Sequence, residues 1–201
     1  MAIVDAVWAG RVDYLAAWEQ QKNLVAERIA NPKIGGRLLL LEHPPTYTLG
    51  RNGRLQNLLL SQGELAARGF AFYQVDRGGD ITYHGPGQLV GYPILSLKHI
   101  YDQPGLGLVR RYVHDLEEVL IQTVAHFSIQ GVRLAGHRGV WVETANGVDK
   151  LAAIGVRIQK EGITSHGFAL NVNPNLTHFE DIIPCGIRDH GVTSLAELLP
   201  Q

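Results

Sequence analysis

Three strand-like segments in the second half of the chain, separated only by short turns, restrict the fold more than any other feature. Val140–Glu143 leads through Asn146-Gly147, a pair typical of tight hairpins, into Lys150–Gln159. Lys160-Glu161-Gly162 then predicts a second turn, into a strand near Gly167–Asn173. Strands joined this closely pair antiparallel, because a parallel pair needs a long crossover. With helices packed on such a sheet, the predicted class is α+β.

Elsewhere the chain alternates helix-like and strand-like segments. Asp13 can cap a helix that runs to about Ala30, where Asn31-Pro32 stops it. Leu108–Phe127 predicts the clearest helix, with an apolar stripe at spacings of three and four: Val109, Tyr112, Val113, Leu116, Leu120, Val124 and Phe127. The other predicted elements are a short helix at Ser61–Arg68 and strands at Val4–Ala9, Leu38–Glu42, Ala71–Asp76 and Gln88–Leu95.

The composition predicts a soluble globular protein and argues against two classes of function. A chain of 201 residues suffices for one substantial core, so residues 1–201 are expected to form a single domain. The formal net charge of −1 gives no electrostatic case for nucleic-acid binding. The longest apolar run, Leu38–Leu41, is far too short for a membrane span. One cysteine and a start without a basic signal region predict a reducing, cytoplasmic compartment.

The only cysteine, Cys185, lies between two residues that control the backbone, Pro184 and Gly186. A lone cysteine cannot form an intrachain disulfide, so it is either a small buried hydrophobe or a nucleophile. Its neighbours favour the nucleophile. Pro184 fixes the backbone before it, and Gly186 lets a substrate approach the peptide N–H groups after it.

The segment Arg77–Pro93 concentrates glycine and polar residues between apolar strands. Its five glycines let the backbone come close to a ligand, and its polar side chains can orient that ligand. These polar residues are Arg77, Asp80, Thr82, Tyr83, His84 and Gln88. The pattern favours a binding loop over a loose surface loop, and it matches neither the phosphate-loop nor the dinucleotide glycine motif.

Lys150 and His166 are the other candidate functional residues. Strict alternation along Lys150–Ile158 puts Lys150 on an otherwise apolar strand face, where burial favours the neutral amine. Its place at the start of the strand favours instead a lysine that reaches into solvent. His166 can act as a base, although a histidine beside Gly167 at a strand start is more often structural. The histidines form no metal-binding pattern, and a single cysteine excludes thiolate clusters.

Taken together, the chain resembles the lipoyl(octanoyl) transferase family, the octanoyl-carrier-protein:protein N-octanoyltransferases of lipoate biosynthesis. The resemblance covers most of the chain and rests on His43-Pro44-Pro45-Thr46-Tyr47-Thr48-Leu49-Gly50-Arg51, Arg77–Pro93, Lys150 with Ala153-Ile154-Gly155, His166-Gly167-Phe168-Ala169-Leu170-Asn171-Val172, and Pro184-Cys185-Gly186. It implies the fold of the lipoate- and biotin-protein ligase catalytic domain, with a mixed, mostly antiparallel sheet and packed helices.

The resemblance also implies residue roles and partners. Cys185 would carry the acyl group as a thioester, and Lys150 would lower the pKa of its thiol. The implied substrate contacts are Arg77, Gly78, Gly79, Asp80, Ile81, Thr82, Tyr83, His84, Ala153, Ile154, Gly155, Gly167, Phe168 and Ala169. No cofactor is implied. The implied donor is octanoyl-acyl carrier protein, and the implied acceptors are apo-lipoyl domains of 2-oxoacid dehydrogenase E2 subunits and the glycine cleavage H protein.

Three other classes of protein stay open at this point. An ATP-dependent lipoate or biotin ligase would need a nucleotide site and no cysteine nucleophile, so Cys185 argues against it. A protein that only binds lipoyl domains would be expected to lack Cys185 or Lys150. A cysteine peptidase would need a histidine beside Cys185.

Overall fold

In the part of the chain that the structure describes, ten strands form two β-sheets. The computed structural model describes residues 4–101, 107–145, 147–183 and 190–200. In chain order the strands are β1 (Val4–Arg11), β2 (Gly36–Glu42), β3 (Thr46–Leu49), β4 (Ala71–Gln74), β5 (Ile81–His84), β6 (Gln88–Ile94), β7 (Val132–Leu134), β8 (His137–Thr144), β9 (Gly147–Ile158) and β10 (Thr164–Asn171). The larger sheet has the order β1-β2-β6-β10-β9-β8-β7, and the smaller has the order β4-β3-β5.

Both hairpins predicted in the second half of the chain are confirmed. Thr144 pairs with Gly147 at the turn between β8 and β9, and Thr164 pairs with Ile158 at the turn between β9 and β10. Both pairs of strands are antiparallel, and so is the pairing of β10 with β6. The sheet is mixed, because β1 and β2 pair parallel at its edge.

Five α-helices accompany the sheets among the described residues, and the sequence explains where two of them begin. The helices are α1 (Tyr14–Ala30), α2 (Gln62–Ala67), α3 (Leu97–Ile100), α4 (Leu108–Ala125) and α5 (Leu195–Leu198), with 3-10 helices at Leu55–Asn57 and Leu176–Asp181. Asp13 accepts hydrogen bonds from the first turn of α1, as predicted. Ser61 and Glu64 form a reciprocal capping box at the start of α2.

The long helix α4 packs on the larger sheet through its predicted apolar stripe. Leu120 and Val124 pack with residues of β8 and β9 in the main core cluster. The stripe is shorter than predicted, because Val109 and Phe127, at its two ends, are 45% and 48% exposed. No helix in the described part of the chain is long and apolar enough to cross a membrane.

Three features of the fold differ from the sequence-based expectation. No β–α–β unit was predicted at the start of the chain, yet β1, α1 and β2 form one, and its parallel strands make the sheet mixed. The strands β3 and β5 lie in segments interpreted as motif or loop, and β7 was not predicted. These strands have only three or four residues, which is too short for alternation to show.

Candidate active site

A cavity of about 690 Å³ lies between the two sheets. Residues of β6, β9 and β10 line one side, and β5 with the loop before it lines the other. Many side chains on the larger sheet are small here, as at Ala153, Gly155, Gly167 and Ala169. Gly155 and Gly167 are direct partners across β9 and β10, so their missing side chains open one continuous space. The volume is typical of a small-molecule site.

Most of the residues predicted to contact substrate line this cavity. They are Arg77, Gly79, Asp80, Ile81, Thr82, His84, Ala153, Ile154, Gly155, Gly167, Phe168 and Ala169, together with Lys150. Segments more than 60 residues apart in the sequence therefore meet at one site. Contact with substrate stays a prediction for each of these residues.

Two of the predicted contacts, Gly78 and Tyr83, do not line the cavity. The Gly78 N–H donates a 2.9 Å hydrogen bond to the carbonyl of Val156, which ties the loop to β9. Tyr83 is buried in the aromatic cluster beneath the smaller sheet, with its hydroxyl 2.7 Å from Nδ1 of His178. Successive side chains of a strand point to opposite faces, so the strand that brings His84 to the cavity turns Tyr83 away.

The predicted nucleophile, Cys185, lies outside the described residues, as do its immediate neighbours in the sequence. The chain before this segment is fixed beside the cavity, because the Ile183 N–H donates a 2.8 Å hydrogen bond to the carbonyl of Asn57, a lining residue. The chain after it is fixed to the candidate lysine, since the Lys150 N–H donates to the carbonyl of Gly191 at 3.0 Å. The role of Cys185 stays a prediction.

Lys150 is a buried lysine, unlike the solvent-exposed one that its position at a strand start favoured. Its relative exposure is 7%, and its Nζ lies 4.6 Å from the centroid of the Trp141 ring. Trp141 is its direct neighbour across the β8–β9 pair. A desolvated ammonium over an indole ring is attracted by about 2 kcal/mol. This contact holds a cationic side chain at the wall of the cavity.

The predicted strict alternation along β9 is wrong next to Lys150. Val140 of β8 pairs with Ala152, but the following residue, Trp141, pairs with Lys150, so Leu151 is an extra residue in β9. Such a bulge reverses the alternation. Leu151 and Ala152 both pack into the core beneath α4, whereas Lys150 lines the cavity. The bulge therefore turns the lysine toward the site.

Arg77 supplies a second buried cation. It is 7% exposed, and its Nη2 donates to the carbonyl and to Oγ1 of Thr48 at 2.7 and 2.9 Å, while Nη1 donates to the Gly78 carbonyl at 3.0 Å. Two glycines leave room for it. A Cβ on Gly50 would lie 2.8 Å from Nη1, and a Cβ on Gly155 would lie 3.1 Å from Cδ.

Tyr14, His84 and Tyr92 form the polar wall near β6, and the fully buried His43, which does not line the cavity, supports Tyr92. His43 Nδ1 donates to the carbonyl of Val12 and its Nε2 accepts from the Tyr92 hydroxyl, both at 2.7 Å. Burial lowers the pKa of His43 to about 4 and lowers that of His84 well below its ordinary value. Burial also raises the pKa of Tyr14 to about 12. These side chains are therefore uncharged at neutral pH.

A chain of buried hydrogen bonds joins this wall to the strand of Lys150. His84 Nδ1 donates to Gln88 Oε1 at 2.8 Å, and Gln88 Nε2 donates to Asn171 Oδ1 at 3.0 Å. Asn171 Nδ2 then donates to the carbonyl of Thr193 at 3.0 Å, and the Thr193 N–H donates to the carbonyl of Lys150 at 3.0 Å. Because these side chains are buried, each bond of the chain resists displacement.

His166 occupies a strained and buried position on the same cavity. Its φ is 55°, and its Nε2 lies 2.7 Å from Oδ1 of Asp76, which also pairs with Arg157. Burial, followed by the positive charges of Arg77 and Arg157, lowers the pKa of His166 to about 3. Neutral His166 thus donates its Nε2 proton to Asp76. Across the described ranges, no three His, Asp or Glu side chains come close enough together to hold a metal ion.

Residues 13–201 match the family of the lipoyl protein ligase A/B catalytic domain. The chain is 51% identical over 194 residues to the octanoyltransferase of Chloroflexus aurantiacus, covering 96% of this chain and 83% of that protein. It is 50% identical over 198 residues to the octanoyltransferase of Acidobacterium capsulatum, covering 96% and 79%. The chain belongs to the octanoyltransferases of this family. It is therefore an acyltransferase.

Solved structures confirm the predicted fold. A bi-partite lipoate protein ligase from Thermoplasma acidophilum superposes with a TM-score of 0.71 at 11% identity, covering 99% of this chain and 78% of that one. Lipoate-protein ligase A bound with ATP superposes with a TM-score of 0.69 at 10% identity, covering 100% and 78%. At such low identity the likeness concerns the fold alone.

Several cavity residues of this octanoyltransferase were not predicted. Tyr14 and Tyr92 line it, and so do Asn57 and Asn171. Asn171 carried a usable signal, because an amide inside an apolar strand is buried only with a hydrogen-bond partner. The tyrosines carried none, because each belongs to the ordinary apolar pattern of its own helix or strand.

Proposed function

We propose that this octanoyltransferase moves an octanoyl group from octanoyl-acyl carrier protein to a lysine of lipoyl domains, through a thioester on Cys185. The acceptors are apo-lipoyl domains of 2-oxoacid dehydrogenase E2 subunits and the glycine cleavage H protein. Lys150 lowers the pKa of the Cys185 thiol and later accepts the proton of the incoming amine. The reaction needs no cofactor.

One observation carries the proposal. Lys150 is buried at the wall of a cavity, and its backbone is bonded on both sides to the segment that follows Cys185 in the sequence. Its N–H donates to Gly191 and its carbonyl accepts from Thr193, both at 3.0 Å. The chain before Cys185 is bonded to Asn57 at the same cavity. These attachments support a thiol and a lysine that act at one site.

The chemistry follows from the properties of the two groups. A free cysteine has a pKa of about 8.5 and is only a few per cent thiolate at neutral pH. An ammonium on Lys150 favours the thiolate of Cys185. The thiolate attacks the donor's thioester carbonyl, and the Lys150 ammonium protonates the carrier thiolate as it leaves, so an acyl-enzyme forms and Lys150 becomes a neutral amine. The acceptor lysine then attacks this second thioester, and the neutral amine of Lys150 takes its extra proton.

The cavity offers an apolar slot for the eight-carbon chain. Ala153, Gly155 and Ala169 keep its wall free of polar side chains, and Phe168 and Val90 add apolar surface. Each CH₂ group transferred from water to such a slot contributes roughly 0.8 kcal/mol. Gly155 and Gly167, which are partners across β9 and β10, leave the strand backbone open to contact with the octanoyl chain.

Intact-protein mass spectrometry tests the proposal. Mixed with octanoyl-acyl carrier protein alone, the enzyme should gain one octanoyl mass, and hydroxylamine should remove it. Cys185→Ala should show neither the adduct nor transfer, and full activity in this variant would contradict the covalent mechanism. As a control, free octanoate with ATP should give no adduct and no nucleotide release. A ligase mechanism would give the opposite result.

A further inference from the structure

The cavity carries far more positive charge than the protein around it. Its described lining includes four cationic side chains, Arg54, Arg77, Arg138 and Lys150, but one carboxylate, Asp80. The whole chain has a formal net charge of −1. Clefts lined by one sign of charge concentrate ligands of the opposite sign. The octanoyl chain and the thioester of the proposed donor are uncharged, so this excess positive charge requires another explanation.

Two of the four cations are engaged in contacts inside the protein. Arg77 is held by Thr48 and Lys150 lies over Trp141, and both cations are buried. The other two, Arg54 and Arg138, are exposed. Neither pairs with a carboxylate among the described residues, although many of the other arginines do.

These two arginines stand on opposite sides of the cavity, and both backbones are held. Arg54 follows the smaller sheet, and its N–H donates to Oδ1 of Asp80 at 3.0 Å. Arg138 belongs to β8 of the larger sheet. The next residue, Gly139, donates its N–H to Oε1 of the buried Glu117 at 3.0 Å and has a φ of 111°. The two side chains extend from fixed positions into solvent at the cavity.

Asp80 keeps its negative charge but forms no ion pair with either arginine, because both of its oxygens already accept hydrogen bonds from uncharged groups. Oδ1 accepts from the N–H groups of Arg54 and Ile81, and Oδ2 accepts from Nδ2 of Asn57. The arginine guanidinium groups are left to bind an anion. Guanidinium groups bind phosphate oxygens with two parallel hydrogen bonds, and such charge-assisted bonds are the strong ones.

We propose that Arg54 and Arg138 form a phosphate subsite that binds the phosphodiester of the donor's phosphopantetheine arm. The inference rests on the proposed function, because a carrier-protein thioester ends in this arm. With the octanoyl chain in the apolar part of the cavity and the thioester near Lys150, the arm leads out between the two sheets. The two arginines then bind the phosphodiester, which is the charged group of the arm nearest to the thioester.

Two donors that differ only in the phosphate test this subsite. KM is measured for octanoyl-pantetheine and octanoyl-4′-phosphopantetheine with a lipoyl domain as acceptor. The wild-type enzyme should show at least a tenfold lower KM for the phosphorylated donor. Arg54→Gln and Arg138→Gln should each reduce this ratio about tenfold, as expected for loss of one charge-assisted hydrogen bond. Arg110→Gln, an exposed change on α4 outside the cavity, should keep the wild-type ratio.

Several outcomes would overturn the subsite. One is a wild-type enzyme with equal KM for both donors, and another is an arginine variant that raises both KM values equally. Calorimetry with acyl-free 4′-phosphopantetheine and pantetheine separates the two proposals, because it needs no transfer. Tighter binding of the phosphorylated arm, lost in Arg54→Gln, supports the subsite even if Cys185 is never acylated. If ATP binds more tightly than 4′-phosphopantetheine and the variants lose only ATP, the site belongs to a nucleotide and the inference is wrong.

Discussion

Gly155 and Gly167 are partners across β9 and β10, and replacing each with alanine should have different consequences. A Cβ on Gly167 would lie 2.1 Å from the carbonyl oxygen of Gly91 and 2.6 Å from Cδ of Pro93. Both are parts of β6, so the two strands would have to separate by about 1 Å, which predicts a loss of about 3 kcal/mol. A Cβ on Gly155 would lie 3.1 Å from Cδ of Arg77 and 3.1 Å from the carbonyl oxygen of Gly78, so the side chain and the loop would each have to move by only a few tenths of an ångström.

Thermal unfolding and acylation rate, measured on the same samples, separate these effects. Gly167→Ala should lower Tm by about 6–12 °C. Gly155→Ala should lower it by about 2–4 °C, yet slow acyl-enzyme formation about tenfold, because the displaced guanidinium lines the cavity. Gly63→Ala in α2 is the control, since its Cβ would meet only Ser61 Oγ at 4.0 Å. Equal destabilisation by the two site variants would refute this reasoning.

Three further predictions concern side chains at the site. Lys150→Met should move the pH midpoint for alkylation of Cys185 up toward the free-cysteine value of about 8.5. Lys150→Arg should keep a low midpoint yet lose transfer to the acceptor lysine. An unchanged pH profile in Lys150→Met would show that Lys150 and Cys185 are not coupled. Gly79→Val should slow acylation in a folded protein, because its φ of 87° is unfavourable for a β-branched residue; an unchanged rate would make the loop purely structural. The pKa of His43 is about 4 when folded and about 6.5 when unfolded, so the unfolded chain binds more protons between these values and stability falls as pH decreases. About 2 kcal/mol should be lost between pH 7.5 and 5.0 in urea titrations, and His43→Gln should remove that share; an equal pH dependence in both proteins would contradict it.

The parts of the fold that local sequence determines were predicted well. Asp13 and Ser61 cap their helices through side chains that reach only two or three residues along the chain. The Asn146-Gly147 pair predicted the β8–β9 hairpin, and spacing alone predicted the central part of α4. Each of these features depends on residues that are close together in the sequence, so a single sequence is enough to predict it.

The parts that depend on distant contacts could not be predicted in the same way. Nothing in Asp149–Ile158 reveals the bulge at Leu151, because the extra residue is defined only by its pairing with β8. The burial of Lys150 depends on Trp141 and on the segment at Gly191, which the sequence separates from it by 9 and 41 residues. The segment of Tyr83 was interpreted as a loop but forms strand β5. Alternation along this strand points Tyr83 away from the cavity.

The same distant contacts suggest why the lysine and the cavity act as a unit. The side chain of Lys150 is turned by a bulge and held by Trp141, while its backbone is bonded to Thr193. Thr193 is in turn bonded through Asn171 and Gln88 to the polar wall of the cavity. Buried hydrogen bonds are costly to leave unmade. Moving either the cavity wall or Lys150 alone would break a bond of this chain, so the network holds the two in fixed relative positions. The segment that follows Cys185 is bonded to this network, so the proposed nucleophile is connected on that side to the residues that surround the proposed base, Lys150.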